Sequence, residues 1–292
     1  MIPQLIINGL IAGGIYALIA LGFTVIYRTV KFFHFAHGVV YAAGAYLVYT
    51  FAVSLHCNFA LAFCLSVILC ALLGIAIDRA VYYPLRRKNA STLVFLLASF
   101  GVFTFVQNLI QLLYGAEILS LRTEPVREGR IFLGAIITDI QIVILAASLL
   151  VMALLWLFLY KTKLGKAMRA VSDDPMAANV VGINSEKIIG ISFALGSALA
   201  AVAGILVSFE TNIEPTMGFG ALLKGIIAAI IGGIGSVPGA MIGGIFLGLA
   251  ENLGVWKISA GWKDCIAFLL LIIFLLLRPR GFWGIKTEKE LV

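Results

Sequence analysis

The sequence predicts an all-α polytopic membrane protein of eight or nine transmembrane helices. Three observations predict it. Of 292 residues, 62% are hydrophobic and 12% charged, with a mean hydropathy of +1.09. The apolar residues fall in runs near the ~20 residues that carry a helix across a bilayer. The basic residues gather in alternate connections between those runs. A soluble domain has about 45–50% apolar and about 25% charged residues, so this excess could not be hidden in a core while the exterior stayed wet. A soluble enzyme, a nucleic-acid-binding domain and a disordered chain are excluded, and the net charge of +7 has to be read through its placement.

The first run, 5–27, is a retained span. Met1-Ile2-Pro3-Gln4 carries no basic n-region, and the run outlasts the ~7–15 residues of a signal peptide. The second, 36–55, leaves open whether the chain crosses or enters and leaves on one side. The third, 60–81, holds Cys64 and Cys70. With Cys57 and Cys265 these show neither a CxxC nor paired spacing, so small packing residues are expected. The fourth, 93–114, carries Gln107, Asn108 and Gln111, which with Asn8 are expected to hydrogen-bond between helices. The segment 115–139 then mixes Glu117, Arg122, Glu124, Arg127, Glu128 and Arg130, and is a polar outer loop long enough for a short helix or hairpin. Runs 140–160 and 188–209 are full spans. Runs 221–234, 240–253 and 266–277 are short for crossings and need tilt or extension. All seven prolines fall between runs or at their ends, as uninterrupted helices require. Small residues recur four apart at Gly9/Gly13, Gly196/Ala200/Gly204, Gly225/Ala229/Gly233, Gly239/Gly243 and Gly244/Gly248, the spacing that lets membrane helices approach closely.

Charge sets the topology. Arg28 and Lys31, Arg79 to Lys88, Lys161 to Lys187, and Arg278 to Lys289 bring fifteen of the 21 basic residues to one set of connections. The alternate set holds Arg122, Arg127, Arg130, Lys257 and Lys263. The positive-inside rule puts the richer set in the cytoplasm, with the C-terminus inside, the N-terminus outside and nine crossings, or eight if 36–55 re-enters.

The cytoplasmic segment 161–187 is the most informative piece outside the spans. Asp173 or Asp174 fits an N-cap and Pro175 the first helical position. Residues 176–181 form a short helix, and Gly182 stops it. An upstream helical piece, 164–171, carries Lys166 and Arg169. Met176, Ala177, Val180 and Val181 give the short helix an apolar face. Such a face suits a partner's groove, or else the membrane surface. Within the spans, Lys224 and Glu251 both fall toward the outer side and are expected to pair, since intramembrane charges find partners; lining a substrate entrance is the other reading. His37 either lines a path or bonds a carbonyl at a helix break near Gly38. No His, Asp or Glu cluster has metal-ligand spacing, and no Ser/His/Asp set stands out.

The segments Gly165-Lys166-Ala167-Met168-Arg169-Ala170-Val171, Asp174, Ala177-Ala178 and Gly182-Ile183-Asn184 resemble the coupling loop of ABC-importer permeases of the branched-chain amino acid type (LivH-like). The glycine-rich stretch 232–244 is similar to a second signature of that family, followed by Ala250-Glu251-Asn252. Tyr16-Ala17-Leu18-Ile19-Ala20-Leu21-Gly22-Phe23 and Phe35-Ala36-His37-Gly38 also match, so the resemblance runs from about residue 8 to 281. One departure stands out: His34 and Val39 flank the last motif where relatives are expected to carry Asn and an acidic residue, which bears on substrate or gating.

The resemblance implies a single permease domain, 1–292, in the bacterial cytoplasmic (inner) membrane. It implies a second permease subunit, two cytoplasmic ATPase subunits that bind ATP and Mg, and a periplasmic substrate-binding protein. Gly165, Arg169, Asp174, Pro175, Ala178 and Gly182 would couple to the ATPase, and Tyr16, His37, Lys224 and Glu251 would belong to the translocation path. The chain has no GxxxxGK[ST] phosphate cradle: Gly165-Lys166 is followed by Ala167, and Tyr160 stands where the first glycine belongs. ATP chemistry is therefore expected from partners, and this chain is expected not to be an enzyme. Branched-chain amino acids are the implied cargo, with urea or short amides as an alternative. An ion-coupled secondary transporter is the competing class, on the thin signal of Glu251 and Asp78.

Overall fold

The computed structural model describes residues 1–122, 129–132 and 134–284. Among the described residues the architecture is helical apart from one small hairpin and an isolated antiparallel bridge between Leu119 and Ile213. Helix α1 (Ile2–Val30) is followed by α2 (Ala36–Tyr49), which runs on through a π-helical turn, Thr50–Ser54. Helix α3 (Phe59–Ile77) starts where the Asn58 side chain accepts a hydrogen bond from the Ala60 N–H. It passes through a second π-helical stretch, Asp78–Tyr82, into α4 (Tyr83–Arg87). Helix α5 (Thr92–Tyr114) leads to the hairpin β1 (Arg130–Phe132) and β2 (Ala135–Ile137), antiparallel with Arg130 opposite Ile137. Helices α6 (Asp139–Lys161), α7 (Lys163–Asp173), α8 (Pro175–Val180) and α9 (Ser185–Ser208) follow. The chain then forms α10 (Met217–Gly232), α11 (Val237–Gly254), a 3-10 turn, Ala260–Trp262, and α12 (Lys263–Leu277).

Eight of these helical segments are long and apolar enough to cross a membrane, and α10 is a shorter apolar helix. The structure settles several sequence readings. The segment 36–54 is one continuous helix and does not turn back on itself. Two of the three short runs lengthen to 18 residues, Val237–Gly254 and Ala260–Leu277. Pro238 sits in the first turn of α11, where its missing N–H costs nothing, and Ser236 caps that turn by accepting from the Gly239 N–H. Pro84 departs from the expectation that prolines mark the ends of runs. The helix continues past it to Arg87. Proline removes one donor and crowds the carbonyl four residues back, and the helix accommodates it by widening into the π-helical stretch just before. The segment 115–139 supplies the hairpin, while Glu124, Arg127, Glu128 and Pro125 lie outside the described residues, as do Lys286 and Lys289.

The chain forms two compact units, Met1–Thr24 with Val126–Met152 and Leu223–Val292, and Val25–Pro125 with Ala153–Leu222. In the first, α1 lies on α11 at backbone distance. A methyl on Gly13 would stand 2.8 Å from the Ile245 Cα, and one on Gly9 2.9 Å from the Leu249 Cα. In the second, α2 packs against α3, α5 and α9. A methyl on Gly204 would run into the Tyr41 carbonyl, so only glycine allows α9 to sit there. The four-residue glycine spacing is thus a packing device in both units.

Helices α1, α2 and α9 are largely buried, whereas α3, α5, α6 and α12 show apolar faces outward, with Leu72, Phe105, Leu150 and Leu276 exposed. Exposed apolar surface of this extent suits hydrocarbon. Cys70 is buried and lies 3.8 Å from the Val40 carbonyl, but Cys64 and Cys265 are exposed. The packing role expected of the cysteines therefore holds for Cys70 and not for those two. Asn8 accepts from Gln4 and Asn108 donates to the Thr104 carbonyl, each within its own helix. The interhelical bonding expected of these amides is not what the structure shows for them, because an i to i+4 partner on the same helix is nearer.

Candidate coupling helix and intramembrane polar clusters

Helix α8 is built from its ends. One Asp174 carboxylate oxygen accepts from the N–H groups of Met176 at 2.7 Å and Ala177 at 3.1 Å, and Pro175 occupies the first helical position. Gly182 takes a φ of +87°, which ends the helix at little cost for glycine. Two hydrogen bonds join α8 to the start of α9, and a third closes the turn after α8. The Ser185 hydroxyl donates to the Pro175 carbonyl, the Ser185 N–H to the Asn179 side chain, and the Ile183 N–H to the Ala178 carbonyl. A six-residue helix is unstable by itself, so this lacing is what makes it a defined surface.

That surface is apolar and open. Met176 is 81% exposed, Val180 88% and Val181 73%. Ala178 faces its own chain and is buried. Gly165 and Arg169 sit on α7, which folds back against the end of α6. A methyl on Gly165 would run into the Phe158 and Leu159 carbonyls, and the Thr162 hydroxyl accepts from the Gly165 N–H at 3.0 Å. The Arg169 guanidinium lies 4.9 Å over the Tyr160 ring. Of the residues singled out from sequence, Asp174, Pro175 and Gly182 define α8, Gly165 and Arg169 seat α7, and Ala178 supports α8 from beneath. The outward groups are Met176, Ala177, Val180 and Val181.

The expected pair of Lys224 and Glu251 is formed. The ammonium lies 2.9 Å from each Glu251 oxygen, and the Tyr16 hydroxyl donates to one of them at 2.9 Å. Lys224 also lies 5.2 Å from the Tyr16 ring centre. Asp264 completes the cluster at 3.0 Å from Lys224. The carboxylate of Glu251 is fully buried while that of Asp264 is largely exposed. Sequence reasoning missed Asp264. It lies outside the last apolar run, 266–277, yet it is the second residue of α12. Three of the four residues assigned to the path, Tyr16, Lys224 and Glu251, therefore meet in the first unit.

His37 belongs to the second unit, buried at the start of α2. Its ring lies 6.3 Å from that of His34. His34 is buried too, with Nδ1 3.0 Å from the Tyr82 hydroxyl and its ring edge-on to Phe193. Burial, and secondarily the neighbouring His37, hold the His34 pKa well below the usual imidazole value, so it is neutral at physiological pH. A third cluster, unforeseen as such, joins Asp78, Arg86 and Glu186. Arg86 donates to Asp78 at 2.7 Å and to both Glu186 oxygens at 2.8 and 3.3 Å. Its signal was available: Asp78 is a lone acid ending an apolar run, two turns before an arginine. Among the described residues no group of three or more His, Cys, Asp or Glu side chains could hold a metal ion.

Eight apolar spans, buried intramembrane ion pairs and a laced helix between two spans define a multi-pass membrane permease. The comparisons with known proteins agree. The family model described as branched-chain amino acid transport system, permease component, matches residues 5–275. The chain is 39% identical to the high-affinity branched-chain amino acid transport system permease protein BraD of Pseudomonas aeruginosa, covering 99% of this chain and 97% of that one. It is 36% identical to the corresponding permease LivH of Escherichia coli K12, with the same coverage. PsaBC from Streptococcus pneumoniae, solved in complex with Fab, shares the fold with a TM-score of 0.54 at 14% identity, over 94% of this chain and 92% of that one. The chain belongs to the branched-chain amino acid transport system permease family, and it is a transport component of the membrane.

Proposed function

We propose that this chain is the permease subunit of an ATP-driven importer of branched-chain amino acids in the bacterial inner membrane, acting as one permease domain. The observation that carries the reading is α8: a helix laced to the start of α9, whose outward residues are apolar and uncovered. A groove on a cytoplasmic ATPase subunit would cover them, and ATP and Mg would be bound there. The basic residues flanking α8 support its placement in the cytoplasm, and with it a cytoplasmic C-terminus.

A second permease subunit is supported by α5. Gln111 lies exposed on a helix that crosses hydrocarbon, where polar side chains seek a neighbouring helix. Tyr16, Lys224 and Glu251 in one unit and His37 in the other are the polar groups assigned to the path, since charges within spans are costly and mark transport routes. A substrate-binding protein on the outer side would deliver the cargo. The names of BraD and LivH support branched-chain amino acids.

The test is uptake of radiolabelled leucine into vesicles holding the assembled transporter and its binding protein. Unlabelled isoleucine and valine are expected to compete, while urea and acetamide are not. Competition by urea but not valine would overturn the substrate assignment.

A further inference from the structure

The Arg86 cluster has a geometry that ion pairing by itself does not explain. Glu186 is the second residue of α9. The residue before it, Ser185, carries the two hydrogen bonds that hold both ends of α8. Glu186 grips Arg86 with both oxygens, and Arg86 grips Asp78, whose side chain is fully buried. The other Asp78 oxygen is buried without a hydrogen bond, so Arg86 is what holds this carboxylate. Asp78 opens the π-helical stretch Asp78–Tyr82. At the far end of that stretch, the Tyr82 hydroxyl meets His34, which leads into α2 beside His37. Polar contacts, joined by the Ser185–Glu186 peptide and by the π-helical backbone from Asp78 to Tyr82, thus lead from α8 to the entry of a buried span, and all of them lie within the second unit.

A π-helical turn holds one residue more than an α-helical turn, and such stretches concentrate at functional sites. Absorbing that residue into regular helix would turn the neighbouring side chains by about 100° about the axis. Coupling between distant sites needs an element with two discrete arrangements, and the insertion and absorption of that residue would be such a pair. We propose that Arg86 is a positioning residue for transport: it ties movement of α8 to the π-helical stretch of the third span, and so to the Tyr82–His34 contact. This rests on the reading of α8 as the ATPase-docking helix.

The test is made on the full transporter in lipid vesicles, with ATP hydrolysis and leucine uptake measured together. E186Q is the primary variant, because Glu186 is partly exposed and its loss leaves Asp78 paired. R86K is the second, because it keeps the charge and removes the fork that grips two carboxylates at once. Both are expected to co-purify with the ATPase subunits and to keep hydrolysing ATP, while leucine moved per ATP falls about tenfold, within the usual range of coupling strengths. A purely structural role would lower hydrolysis and uptake in parallel and leave that ratio unchanged, and an unchanged ratio in both variants overturns the proposal. If the ratio is unchanged while changes on the α8 surface still abolish ATPase binding, the Arg86 link fails and the docking reading stands. If those surface changes leave ATPase binding intact, the docking reading fails first.

Discussion

Replacing Met176 and Val180 together with glutamate is expected to cost the transporter its ATPase subunits and nearly all of its transport. Both side chains are more than four-fifths exposed in the chain by itself. Fully burying an aliphatic side chain contributes roughly 1.5–3 kcal/mol. Losing two such contacts, and placing two carboxylates in their stead, weakens docking by about 3 kcal/mol or more, over a hundredfold in affinity. Folding should be untouched, since neither side chain packs on its own chain. The measurement is co-purification with the ATPase subunits, read beside leucine uptake and membrane yield. D174A is the graded companion. Loss of an N-cap costs about 1 kcal/mol, so α8 frays and transport falls partially. If the glutamate pair left co-purification intact, α8 would not be the surface that the ATPase subunits grip.

K224M is expected to be the most destabilising single change in the first unit. It strands the fully buried Glu251 carboxylate with only the Tyr16 hydroxyl for company. Removing one partner of a buried ion pair typically costs about 3–5 kcal/mol. E251Q should be much milder, because its amide oxygen still accepts from Tyr16 and Lys224 keeps Asp264. The exchanged pair K224E/E251K should recover only part of the loss. It sets a carboxylate at position 224 against Asp264 and aims an ammonium at the Tyr16 hydroxyl, which in the native cluster donates. Adding D264N to the exchanged pair should recover more. Thermal unfolding of the detergent-solubilised protein orders the four. Equal unfolding temperatures for K224M and E251Q would mean that Glu251 is neutral or solvated rather than held as an ion.

The Lys224–Glu251 pair was legible in the sequence because two opposite charges in otherwise apolar runs have few other partners. Helix α8 was legible because capping chemistry is local: Asp174, Pro175 and Gly182 are set by residues within a few positions of one another. What sequence reading missed depends on contacts between distant segments. Asp264 lies beside Lys224 through the packing of α12. Arg86 reaches Glu186 one hundred positions away. The π-helical stretches had no periodicity to announce them, and Pro84 was read as an end because a helix was expected to stop there. Ala178 was grouped with the docking residues because the motif contains it, though the fold turns it inward.

Movement of substrate by ATP hydrolysed on partner subunits that grip α8 is tested most directly by leucine uptake into vesicles of the assembled transporter. ATP is supplied on the α8 side with no ion gradient, and the comparison is an imposed proton or sodium gradient without ATP. Uptake that requires ATP and vanishes in the Met176 and Val180 double variant is the result expected here. Gradient-driven uptake by this chain in the absence of the ATPase subunits would contradict it.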